Sequence, residues 1–139
     1  MRVSLTRTTG FRATHRLYDP TRSAEENHIR FGRTADEPGH AHDYTCAVTV
    51  TGPLEDDRVV DLPVLDEILA TEITERLDGK HLNLDLPEFA YGRALATCEA
   101  IARDIFLRIA ARLPAGLTLE RVRVAEDATL HADCTGNER

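Results

Sequence analysis

The sequence predicts an α+β fold: an antiparallel β-sheet with helices packed on one face, in a single domain spanning residues 1–139. Three observations predict it. Stretches near both ends of the chain alternate apolar and polar residues with the period of two that a half-buried strand requires. Two central stretches instead repeat apolar residues at helical spacing. The elements come in the order strand, strand, helix, helix, strand, segregated rather than alternating, which fits a layer of helices on an antiparallel sheet.

Residues 2–18 form the first long strand, with Phe11, Ala13 and His15 on one face and Arg12, Thr14 and Arg16 on the other. Residues 19–39 are a polar connection containing Pro20, Gly32, Pro38 and Gly39. Connections longer than about 12–15 residues are uncommon in a compact domain and often functional. Within it Ser23, followed three residues later by Glu26, marks the capped start of a short helix. Residues 40–52, HAHDYTCAVTVTG, are the clearest strand. His40, His42, Tyr44, Cys46, Val48 and Val50 fall on one face, and Thr45, Ala47, Thr49 and Thr51 on the other.

GPLEDDR is a turn, and VVDL a short strand or a lead-in. From Pro63 to Leu77 the period becomes helical, with Leu65, Leu69, Ile73 and Leu77 repeating at i+4, Asp61 as a cap and Pro63 in the first turn. DGKHLNLDLPEF is expected to be a loop. A second helix, Cys98 to Arg112, is capped by Thr97 and carries Ile101, Ile105 and Ile109 on one stripe. GLTLERVRVAED returns to strand. Its apolar phase slips between Leu119 and Val122, which predicts a bulge near Glu120 and Arg121. A short end strand is expected at 129–133.

The composition, 42% hydrophobic and 29% charged, is that of a soluble globular protein. A net charge of −7 argues against a broad nucleic-acid surface, and no apolar run approaches the roughly 18 residues of a membrane span. The N-terminus lacks the apolar block of a signal peptide, so a cytoplasmic location is expected. Cys46, Cys98 and Cys134 include no CxxC spacing, which points to free thiols rather than a disulfide framework.

Because a strand repeats every two residues, His40 and His42 project from one face. His15 sits near the end of the neighbouring strand, also on its apolar side. Three neutral imidazoles with a fourth position open to water or substrate form a catalytic zinc pattern, although imidazole also suits copper, nickel and iron. An HxH pair alone is also compatible with two ordinary polar residues at a strand start. Val122, Val124 and Glu126 share a face of the last strand, which carries Glu126 inward unless the strand ends at Ala125. A lone buried carboxylate is costly unless a bidentate partner compensates it. Glu99 lies in the first turn of the second helix, where acidic residues suit the dipole.

These residues, in the order FRATHRL, EENHIRFGR, GHAHDYTCAVTVTG, LDGKHLN, TCEAIA and VRVAED, resemble the 6-pyruvoyl-tetrahydropterin synthase family and its relatives the 6-carboxy-tetrahydropterin synthases, over about residues 8–133. The resemblance implies the tunnelling fold, with two helices on each subunit's sheet. The sheets would close into a barrel across subunits, usually in a homohexamer of stacked rings with active sites between subunits. It implies zinc on His15, His40 and His42, and a pterin held at its amino-pyrimidine edge by Glu126 with Thr97 and Glu99 close by. It further implies a carbon–oxygen lyase acting on 7,8-dihydroneopterin triphosphate, in which zinc acidifies the side-chain hydroxyls, triphosphate is lost and the side chain tautomerises.

The departures from the family concern proton transfer. Family synthases carry a catalytic cysteine ahead of HxH. The matching position here is Thr34 against the pyruvoyl synthases and Asp36 against the carboxy synthases, and residues 19–39 hold no cysteine. Where the family has Asp-His, this chain has Asp78-Gly79. A threonine hydroxyl is a poor base near neutral pH, whereas a carboxylate serves if its surroundings raise its pKa. Glu37 is the expected base, chosen over Asp36 for its reach. His81 is expected to replace the lost histidine, with Asp78 orienting it. Side-chain cleavage to a 6-hydroxymethyl or 6-carboxy pterin, or a non-catalytic pterin-binding paralogue, are the alternatives.

Overall fold

Alternation over two stretches of fourteen residues gives the two longest strands, and the rest of the molecule is arranged on them. The computed structural model describes residues 1–137; residues 138 and 139 of the expected domain lie outside the described residues. In chain order the elements are β1 (Arg2–His15), α1 (Ala24–Phe31), β2 (His40–Pro53), α2 (Leu62–Leu69), α3 (Glu75–Leu77), β3 (Lys80–His81), α4 (Leu82–Asp85), α5 (Cys98–Ala110), β4 (Thr118–Asp127) and β5 (Leu130–Cys134).

The strands form one sheet in the order β3-β1-β2-β4-β5. Strands β1 and β2 pair antiparallel along their whole length, from Arg2 opposite Pro53 to His15 opposite His40. The β2–β4 and β4–β5 pairs are also antiparallel. The sheet is nevertheless mixed rather than purely antiparallel, because the two-residue β3 runs parallel to β1. That strand comes from the segment expected to be a loop. It continues into α4 and a 3-10 turn at Pro87–Phe89, and it buries Leu82, Leu86 and Phe89.

One face of the sheet carries the core. Phe11, Tyr44, Cys46, Val48, Val50, Val122 and Val124 meet the buried faces of α2 and α5. The helical run from Leu62 to Leu77 contains a π-helical turn at Ala70–Thr74. A strict i+4 repeat drifts by roughly 40° per step on a 3.6-residue helix. The wider turn takes up part of that drift, and Leu65, Leu69, Ile73 and Leu77 all remain buried. Asp61 occupies the N-cap position, but its side chain makes no cap bond and pairs instead with Arg58 at 2.9 Å. The VVDL segment is not a strand: a single bridge joins Glu55 to Arg58, and the chain then bends into α2.

The Ser23 cap forms as expected, its hydroxyl accepting from the Glu26 amide at 3.1 Å. The bulge also falls where the phase slips. Thr49 faces Arg121 and Val50 faces Leu119, leaving Glu120 as the extra residue.

Candidate metal centre and active site

The β1–β2 register sets His15 opposite His40 and Ala13 opposite His42, so three imidazoles converge at one end of the sheet on its helix-covered face. One ring nitrogen of each lies within 4.8 Å of the others. His15 Nδ1 is 2.7 Å from the carbonyl oxygen of Ala96. A carbonyl only accepts, so Nδ1 carries the proton and Nε2 keeps its lone pair. The Nε2 atoms of His15 and His42 are buried and have no hydrogen-bond partner. Burial, reinforced by the neighbouring histidines, lowers the pKa of His15 and of His40 and favours their neutral forms, against smaller opposing effects that include Glu126. Three converging imidazoles, with the Nε2 atoms of His15 and His42 unpartnered, suit a divalent metal of the zinc type.

Glu126 reaches the same place from β4. Its Oε2 lies 3.2 Å from His42 Nε2, and each side chain is only about one-sixth exposed, at 17% and 16%. Its other oxygen accepts from the Cys98 thiol at 3.5 Å. The start of α5 is pinned between these contacts. Thr97, half-buried, caps the helix by accepting from the Ala100 amide at 3.1 Å, and Ala96 just before it holds His15. Glu99 is exposed in the same first turn. Beneath the histidines lies Tyr44, stacked on Phe11 with ring centroids 4.9 Å apart and 5.5 Å from the His42 ring. Burial, followed by the charges of Cys98 and Glu126, raises its phenol pKa. Cys98 and Ala96 had no site signal in the sequence, because the roles they play here depend on long-range pairing.

The expected proton-transfer residues sit elsewhere. Thr34 donates to the Phe31 carbonyl at 2.5 Å. Asp36 lies 3.5 Å from His28 Nδ1, and Glu37, with 80% of its side chain exposed, lies 3.4 Å from Arg16 Nη1. The Asp78 carboxylate accepts from the backbone amide of Arg12 at 2.8 Å and does not orient His81. His81 instead donates from Nε2 to the Pro38 carbonyl at 2.8 Å, and its Nδ1 is buried without a partner. His81 is the register partner of Thr14, whose side chain points away from the His15 face. It lines a groove of about 350 Å³ with Arg12, Ala41 and Lys80 on that far face. One chain therefore brings together His15, His40, His42, Glu126 and Thr97, and leaves Asp78 at the edge of β1 and His81 on the other side of the sheet.

Over residues 4–137 the chain matches the family model for 6-pyruvoyl tetrahydropterin synthase. It is 36% identical over 124 residues to the 6-pyruvoyl tetrahydrobiopterin synthase of Drosophila melanogaster, covering 88% of this chain and 73% of that one. To the enzyme of the same name from Homo sapiens it is 35% identical over 126 residues, covering 89% and 85%. The solved structure of Caenorhabditis elegans 6-pyruvoyl tetrahydropterin synthase superposes with a TM-score of 0.90 at 25% identity, over 99% of this chain and 97% of that one.

Proposed function

The chain belongs to the 6-pyruvoyl tetrahydropterin synthase family, and from that premise we propose that it is a zinc-dependent carbon–oxygen lyase acting on 7,8-dihydroneopterin triphosphate or a closely related pterin. The observation that carries this reading is the convergence of His15, His40 and His42 directly beside Glu126. His15, His40 and His42 would hold the metal, which when bound supplies Lewis acidity toward the substrate's side-chain hydroxyls.

The chain's own residues provide the rest. His15 needs no tautomer change to ligate, because its proton is already committed to Ala96. Glu126 accepts a pair of N–H groups from the amino-pyrimidine edge, the partner that a mostly buried carboxylate requires. Thr97 and Glu99 frame the heterocycle from the first turn of α5. Loss of triphosphate needs a base that takes a proton from a side-chain carbon. We assign this to Glu37, chosen over Asp36 for its longer reach on the loop that runs into His40, since the Thr34 hydroxyl is committed to the Phe31 carbonyl.

His81 and Asp78 act at the site of a neighbouring subunit, which accounts for the place of His81 on the far face and of Asp78 at the β1 edge. The sheet's edge supports such an arrangement. Strand β3 covers only Ala13 and Thr14, so β1 from Arg2 to Arg12 has no partner strand on that side among the described residues. Exposed edges of this length are usually covered, and closure of sheets into a barrel across subunits, in a homohexamer built from two trimers, would cover it. No helix among the described residues is long and apolar enough to cross a membrane, and all three cysteines are free, in keeping with a cytoplasmic enzyme.

A carboxylate where the family carries a cysteine favours one second reading, cleavage of the side chain to a 6-hydroxymethyl or 6-carboxy pterin. Incubating the zinc-loaded protein with 7,8-dihydroneopterin triphosphate and identifying products by mass spectrometry separates the two. A 6-pyruvoyl product supports the lyase, and a shortened side chain supports cleavage. No turnover alongside retained pterin binding would make the protein a binding paralogue.

A further inference from the structure

We propose that Cys98 is a positioning residue for Glu126, its thiol holding the carboxylate in the orientation that presents it to the heterocycle. This rests on Glu126 being the pterin anchor. Cys98 begins α5 and is 2% exposed. Its position relative to the histidines is set by backbone, because the preceding residues Ala96 and Thr97 are fixed by the His15 and Ala100 bonds. The thiol meets Oε1 of Glu126 at 3.5 Å, while Oε2 faces His42 at 3.2 Å.

The argument turns on which groups can hold Glu126 when the site is working. A histidine whose Nε2 ligates a metal has no proton there to offer a carboxylate. With His42 so engaged, Cys98 is the remaining side-chain donor to Glu126 among the described residues. Burial first, and then the Glu126 charge, push the thiol up to about 12, so it is an S–H donor at neutral pH and not a nucleophile. A thiol is also a weak donor, so it orients the carboxylate and leaves its acceptor strength for the ligand.

The test is a double-mutant cycle read by calorimetry with biopterin on the zinc-loaded protein, with zinc content and thermal unfolding measured for every variant. Cys98→Ala should weaken biopterin binding by about three- to tenfold, and Cys98→Ser should restore it to within about twofold. In a Glu126→Gln background Cys98→Ala should cost nothing further. Unchanged affinity in Cys98→Ala, with Glu126→Gln weakened, overturns the positioning role and leaves the anchor standing. Additive losses overturn it as well, since Cys98 would then act independently of Glu126. Unchanged affinity in Glu126→Gln overturns the anchor reading and this proposal with it. If Cys98→Ala does not fold, comparing Cys98→Ser with Cys98→Val, which differ in the donor, gives the same decision: equal affinities overturn the proposal.

Discussion

His15 Nδ1 and the Ala96 carbonyl oxygen, 2.7 Å apart, join the end of β1 to the residue that leads into α5. The bond fixes a ring orientation that a metal would otherwise have to select. Purified protein should accordingly carry close to one zinc ion per chain, and His42→Ala should lose most of it, because two imidazoles alone hold zinc weakly. Elemental analysis of both proteins checks this, and equal zinc content would refute the metal centre.

Glu126→Gln keeps the side chain's shape and removes its charge. Loss of a charge-assisted pair should weaken biopterin binding about tenfold or more. Calorimetry on the folded, zinc-loaded variant gives the answer, and an unchanged dissociation constant counts against the anchor.

The uncovered edge of β1 bears on assembly. Light scattering at micromolar concentration should report a mass several times that of the 15.5 kDa chain, with a hexamer expected. A monomer would remove the neighbouring subunit that is to supply Asp78 and His81.

The loop carrying Thr34, Asp36 and Glu37 can be examined by substitution on whichever pterin is turned over. Glu37→Gln should lower turnover at least about a hundredfold, the usual scale for a general base, and Asp36→Asn should have little effect. Full turnover in Glu37→Gln rules Glu37 out. Activity gained only in Thr34→Cys would mark the natural chain as a binding protein.

Asn27 is buried and holds the start of α1 to Asp19. It accepts from the Asp19 amide at 2.6 Å and donates to the Asp19 and Ser23 carbonyls, each at 2.9 Å. Asn27→Ala strands these groups, at a cost of about 2 kcal/mol or more. Thermal unfolding should show a fall of roughly 5–10 °C. A smaller fall would mean that water replaces the side chain.

Much of the fold was legible because short-period patterns decide it. The alternation through Tyr44, Cys46, Val48 and Val50 reports a strand half-buried under helices, and the phase slip at Glu120 reports a bulge. The segment after Leu77 has the sequence of a loop because Asp78, Gly79 and Pro87 mask its pattern. Leu82, Leu86 and Phe89, at helical spacing, still reach the core. The convergence of His15, His40 and His42 is legible in the sequence as residues on one face. What no local pattern encodes is which edge or face a short strand joins. The two residues of β3 put His81 beside Thr14, away from the histidines it was expected to assist, and only pairing between distant segments determines that. The contact of Cys98 with Glu126 is of the same long-range kind.

Glu120 has a consequence that reaches six residues along its strand. Counting from Leu119 in strict alternation, Glu126 would emerge on the far side of the sheet, and the one additional residue at the bulge returns it to the side of His42. The strand between Leu119 and Glu126 is thus one residue longer than strict alternation needs, and the bulge absorbs the surplus. Removing Glu120 would restore regular pairing and leave the carboxylate on the side of His42. Removing a second residue would transfer it to the opposite surface. The bulge therefore gives this stretch room for one length change and no more, a constraint that a comparison of chain lengths across related sequences can expose without any measurement of activity.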